Sequence, residues 1–180
     1  LWMAWGAASV VGVGVAIGKF FNLPIVTHLA TSRMFVTPGL FTGFYYDFFS
    51  THPKVYMSDG VLSSVSAYPY TMEPDRVIGG NYFGDVDMHA NANIWADAFA
   101  NFGLGGIVVF SIILAGVLWF YDSVSKLKDR RTAIMLLGIP CITLSNTALE
   151  TSLLTHGIGL VTLIVFLLPT EKMGSAPIHQ

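Results

Sequence analysis

Two kinds of pattern alternate along this chain. Apolar stretches cover roughly residues 1–18, 102–121, 133–149 and 153–168, and a mixed, aromatic-rich segment separates the first from the second. Crossing the hydrocarbon core of a bilayer takes about 20 mostly apolar residues at 1.5 Å each. Residues 102–121 meet that length. Pro140 predicts a kink inside the third stretch, and Pro169 stops the fourth. Lys19, Phe20 and Phe21 follow the first stretch as a snorkelling cation with aromatic anchors. The expected fold is therefore all-α: a multi-pass transmembrane helical protein with one long external loop containing short interfacial helices.

Spans are expected at 1–19, 102–121, 133–149 and 153–168. Between and after them come an external loop at 20–101, a cytoplasmic loop at 122–132 and a cytoplasmic tail at 169–180. The basic residues set this orientation. Lys126, Lys128, Arg130 and Arg131 crowd one short loop, and Lys172 lies in the tail, so the positive-inside rule puts both in the cytoplasm. The turn at 150–152 then faces outside. In the loop, FTGFYYDFF (41–49) packs six aromatics, a density that suits an interfacial segment.

Composition sharpens this picture. Charged residues make up 11 % and apolar ones 53 %, with a mean hydropathy of +0.63, against about 25 % charged in soluble domains. A net charge of −2 carries no nucleic-acid signature. Cys141 is the single cysteine, so no disulfide framework exists. The opening LWMAW has neither an initiator Met nor a basic leader, and it reads as a piece of a longer protein.

Candidate chemistry centres on HANANIWADAFANFG (89–103), which runs into the second apolar stretch. His89, Asn93, Asp97 and Asn101 recur at i+4, predicting one polar stripe on a helix. Ala92, Ala96, Ala100 and Gly103 form a stripe of small residues that admits close helix contact. A polar face leading into a span lines a water-filled cavity or a site, because polar groups facing lipid are costly. Asp97 or His89 is the candidate base and Asn93 the orienting group; the plainer alternative is helix capping and packing.

Elsewhere the readings stay open. Arg33 and Arg76 suit phosphate through their two-pronged guanidinium, or else lipid headgroups. Asp47 sits among aromatics, as a base or as a wet interfacial carboxylate. Asn146 and Glu150 lie at i+4 near the outer end of the third span, with His156 as a partner across the turn. GVGVAIG (12–18) has the wrong spacing for a dinucleotide and reads as a packing face. Asp85 and Asp87 read as ordinary loop carboxylates. His28, His52 and His89 lack metal-ligand spacing, so no metal and no cofactor is expected.

RMFVTPGLFTGFYYDFF (33–49), GGNYF (79–83) and ANANIWADAFANFGLGG (90–106) together resemble bacterial oligosaccharide repeat-unit polymerases, the Wzy-type enzymes of O-antigen, capsule and exopolysaccharide assembly. The resemblance covers about residues 33–122; the flanking spans agree only in hydropathy. It implies the C-terminal part of a multi-pass glycosyltransferase of the bacterial cytoplasmic (inner) membrane. The growing glycan on undecaprenyl diphosphate would pass to a new lipid-linked repeat unit. Cations would stabilise the departing diphosphate, and a carboxylate or histidine would take the acceptor proton. Catalytic candidates are then Asp97, His89 and Asp47; substrate-binding candidates are Arg33, Arg76, Asn93, Asn101, Tyr45 and Tyr46. Lipid-linked oligosaccharide donor and acceptor, membrane lipids, and chain-length regulator and flippase proteins are the expected partners. The alternatives are an O-antigen ligase of the same superfamily and a multi-span glycolipid transporter or flippase.

Overall fold

The computed structural model describes residues 12–13, 15–23, 25, 32, 36–60, 63–64, 66–126 and 128–169. Most of the expected first span and Arg33 lie outside the described residues. Six α-helices carry the architecture from residue 37 onward: α1 (Thr37–Thr51), α2 (Pro74–Phe83), α3 (Ile94–Ser125), α4 (Arg130–Thr143), α5 (Leu149–Leu154) and α6 (Ile158–Leu167). No strand occurs among the described residues, and the fold is all-α.

The loop before α3 has a core of its own. Phe41, Tyr45, Phe48 and Phe49 sit at helical spacing on α1 and are buried against Val77 and Ile78 of α2 and against Ala96, Phe99 and Ala100 of α3. Four of the six aromatics expected at an interface are thus interior groups; Phe44 is half-buried and Tyr46 exposed. The small residues Ala96 and Ala100 let α1 lie close to α3. Gly79 does the same in α2, where a Cβ would meet Met88 O at 2.2 Å.

The chain does not run as one helix from His89. Asn93 is the N-cap of α3, accepting from Trp95 N at 3.1 Å and Ala96 N at 2.9 Å. His89 therefore lies in the extended segment before the helix, and only Asp97 and Asn101 of the expected stripe share a helix face. A second departure falls at Gly103, where φ 65° and ψ −149° break α3. That region of backbone space is essentially reserved for glycine. Beyond the break Gly106 turns close to the first arm, where a Cβ would stand 2.2 Å from Ala98 O.

From Leu104 onward the surface changes character. Leu104, Val108, Val109, Ile112, Trp119 and Phe120 are exposed. Two helical stretches are long and apolar enough to cross a membrane: Ile94–Ser125, and Leu149–Leu167 taken across the bend between α5 and α6. Only 11 % of the apolar window in the first is buried, unlike the core helix of a soluble protein. The stretch expected as a third span is different. It forms the 14-residue α4 and a tighter turn at Leu144–Asn146. Helix and turn together run 17 residues and reach about 27 Å, against a hydrocarbon core of ~30 Å. Residues 150–152, expected as a turn, belong to α5.

Candidate functional site

Where the loop core meets the helices, a cavity of about 300 Å³ opens. Three walls close it. Tyr45 of α1, Asp59 and the start of α2 (Glu73, Pro74, Asp75) form one wall. Asn91, Ala92 and Asp97, at the start of α3, form the second. Asn146, Thr147, Ala148, Glu150, Thr151 and His156 form the third. Five carboxylates converge here, with no lysine or arginine among the described lining residues.

Local structure explains how each acid arrives. Pro74 starts α2, so Glu73 and Asp75 flank a fixed helix end. Asp97 lies in the first turn of α3, and Asn101 one turn on donates through Nδ2 to its Oδ1 at 3.0 Å. Asn101 Oδ1 in turn accepts from Met57 N at 2.5 Å, tying the helix to the loop that carries Asp59. Asn93 is buried; besides capping, its Nδ2 donates to Thr42 Oγ1 at 2.8 Å. These are the contacts of a capping and packing residue. Glu150 presses on Gly60, where a Cβ would lie 3.0 Å from Oε1. Its Oε2 is inaccessible and has no hydrogen-bond partner among the described residues.

Electrostatics follow from this crowding. Asp59 and Glu150 both act on Asp97 at close enough range to couple their charges. Desolvation, with the charges of Glu73 and Asp75 added, raises Asp59 above the usual carboxylate range against an opposing backbone hydrogen bond. Burial and the nearby acids also hold the Tyr45 hydroxyl protonated, well above its ordinary value. It donates to Ala90 O at 3.2 Å.

At the edge of the cavity His89 Nδ1 lies 2.6 Å from Asp75 Oδ2. In a neutral imidazole the Nδ1–H donates to this carboxylate, leaving the Nε2 lone pair free to take a proton. One ligand atom from each of Glu73, Asp75 and His89 lies within 4.8 Å of the others, so the group has metal-capable spacing that the linear sequence did not display.

The other expected residues sit elsewhere. Asp47 is exposed, does not line the cavity, and accepts from Tyr82 Oη at 2.5 Å. Burial first, then this bond, pushes the Tyr82 hydroxyl up to about 12. Tyr46 packs against Phe99 in a tilted arrangement, 4.9 Å between ring centroids. Arg76 pairs with Asp87 at 3.3 Å and is not a lining residue. Asn146, Glu150 and His156 do share the cavity, although His156 Nδ1 contacts Thr151 O at 3.3 Å rather than Glu150.

Sequence reasoning passed over Asp59, Glu73, Asp75 and Lys54. Lys54 Nζ stands 3.7 Å over the Phe99 ring, inaccessible and without a hydrogen-bond partner among the described residues. It also lies beside the break, 3.9 Å from where a Gly103 Cβ would be. A lysine directly before an apolar Val55 gave no local sign of this placement.

Comparison with protein-family models, with curated proteins and with solved structures finds no match to this chain.

Proposed function

We propose that the chain belongs to a bacterial membrane glycosyltransferase that polymerises oligosaccharide repeat units carried on undecaprenyl diphosphate. In this reading it crosses the cytoplasmic membrane several times. Residues 20–101 lie outside and residues 122–132 in the cytoplasm. The observation that carries the proposal is the acid-rich cavity at the outer end of an apolar helix. Carboxylates, asparagines and threonines suit sugar hydroxyls, whereas the described lining offers no lysine or arginine to hold a diphosphate. The cavity accordingly takes the neutral acceptor sugar.

The chemistry divides accordingly. An acceptor hydroxyl oxygen bonds to the anomeric carbon of the donor as the bond from that carbon to the diphosphate oxygen breaks. The diphosphate leaves with the electron pair, and the hydroxyl proton passes to Asp97 or to Nε2 of His89. Asn101 fixes the Asp97 carboxylate, and Asp75 fixes the His89 ring. Charge on the leaving group needs a cation outside the acid cluster. Arg76, outside the cavity and paired with the exposed Asp87, is the candidate among the described residues. No nucleotide enters this scheme.

The position of the cavity also bears on the transporter alternative. Transporters place their broken helices and substrate groups near the bilayer midplane. Here the polar groups gather at one end of the apolar helix, which favours an enzyme.

Removing the chain from its host and sizing the surface glycan separates the readings. Single-repeat product is the polymerase result, whereas loss of all surface product indicates a flippase and intact polymer left unattached to its lipid acceptor indicates a ligase. Asp97→Asn then tests the site. Loss of a general base should slow polymerisation about 10²–10⁴-fold at unchanged membrane abundance. Normal chain length from an abundant variant would remove Asp97 from the role.

A further inference from the structure

A second cavity, of about 530 Å³, opens at the opposite end of α3, within the size range of small-molecule sites. It is a cleft between two helix faces. Leu118, Tyr121 and Ser125 line it from α3, and Ala133, Ile134 and Leu137 from α4. Tyr121 Oη donates to Ala133 O at 2.5 Å and pins the two faces together. The cleft is thus apolar inside. At its other end stand three cations, Lys126, Lys128 and Arg130, against one lining carboxylate, Asp122.

Two of those cations are available. Lys128 Nζ already donates to the carbonyls of Phe166 and Leu168, capping the end of α6. Lys126 is held only loosely by Asp122, at 3.8 Å with both side chains exposed. Arg130 is exposed and forms no ion pair among the described residues. The N-terminus of α4 contributes little, because Asp129 already accepts from Arg131 N and Thr132 N.

We propose that this cleft binds an anionic membrane phospholipid, its phosphate between Lys126 and Arg130 and its acyl stem against Leu118 and Leu137. The inference rests on the membrane-spanning part of the reading above and not on glycosyl transfer. The cleft stands at the end of a helix apolar enough to cross a bilayer, where headgroup and acyl chain meet. An apolar interior with cations at its mouth matches an amphiphile carrying negative charge. A soluble phosphate would leave the apolar walls wet, and a zwitterionic lipid would leave the cations without a net counter-charge.

The test is native mass spectrometry and thermal unfolding of the chain in detergent with phosphatidylglycerol, phosphatidylcholine or inorganic phosphate added. Phosphatidylglycerol should be retained and stabilising; the other two should not. The double variant Lys126→Ala, Arg130→Ala acts at exposed positions that the fold does not need. It should weaken retention about 30-fold, at roughly 1 kcal/mol per cation. Leu137→Trp keeps every charge and fills the apolar end, so retention should vanish while helicity by circular dichroism persists. Equal retention of the two lipids, equal stabilisation by inorganic phosphate, or full retention by either variant would overturn the proposal. Glycan sizing is a separate readout: a cleft without lipid and a chain without polymerase activity fail in different experiments.

Discussion

The arm of α3 before Gly103 and the arm after it obey opposite rules, though they belong to one helix. Before the break Ala96, Ala98 and Ala100 are buried, and Phe99 closes a core built from α1 and α2. After it Ile112, Trp119 and Phe120 face outward, with relative exposures of 66 %, 70 % and 48 %. A helix in water hides its apolar side, whereas one in lipid has no reason to. The difference teaches that Gly103 separates an arm that packs as a core helix does from an arm that leaves its apolar side chains uncovered; on the membrane reading proposed above, it marks a change of solvent.

The sharpest way to break the comparison is to remove apolar bulk from each arm's surroundings. Phe49, with 0 % exposure, fills the core under the first arm. Phe49→Ala should cost about 3–5 kcal/mol, seen as loss of protease resistance of residues 37–101. Ile112 behaves in reverse. Truncating it should hardly matter, but Ile112→Asp should raise the cost of membrane insertion by about 3–4 kcal/mol, measured as the inserted fraction of a reporter carrying 94–125. If Ile112→Asp inserts normally, the second arm is not a span.

The break itself comes next in size. A Cβ at Gly103 would meet nothing closer than Lys54 Cε at 3.7 Å, so space is not the obstacle. The obstacle is the backbone, held where residues with side chains are strained by about 1–3 kcal/mol. Gly103→Ala should therefore lower thermal stability by that amount. It should also shift the two arms relative to each other, detectable as a changed distance between spin labels at exposed Trp95 and Ile112. An unchanged melting temperature and distance would show that the break does not depend on glycine.

How much of this was legible beforehand depends on sequence distance. Hydropathy marks the apolar stretches and the helical class, because both are carried by runs of neighbours. The polar segment at 89–103 does lead into a long apolar helix, and Asp97, Asn146, Glu150 and His156 do line one cavity. The helix start was misplaced because i+4 spacing fits a stripe as well as a cap. Asn93 before an apolar run also carries an N-cap signature, and the cap prevailed because it satisfies two backbone N–H groups. Asp59, Glu73 and Asp75 were out of reach for another reason. They come from a turn and from the start of α2, tens of residues away, and are gathered by the aromatic core, which periodicity does not describe. The partner of His89 likewise lies 14 positions back.

The smallest effect concerns the charge that separates the cavity from the arms. Asp59 has its pKa raised by desolvation and by Glu73 and Asp75, so folding disfavours its ionised form. Linkage fixes the sign. Below the unfolded carboxylate value of about 3.9 both states hold the proton and Asp59 imposes no penalty. As pH rises from the unfolded value toward the higher folded value the penalty grows, and above the folded value it stays constant. Asp59 is exposed, so solvent screening keeps the term small. Asp59→Asn should match the parent chain in acid and melt slightly higher at neutral pH, with the gap opening above about pH 4. The same gap should shrink in Glu73→Gln, which removes one of the charges that creates it. A variant that melts lower at neutral pH would mean that the Asp59 carboxylate is compensated, and that the cavity is less negative than its lining implies.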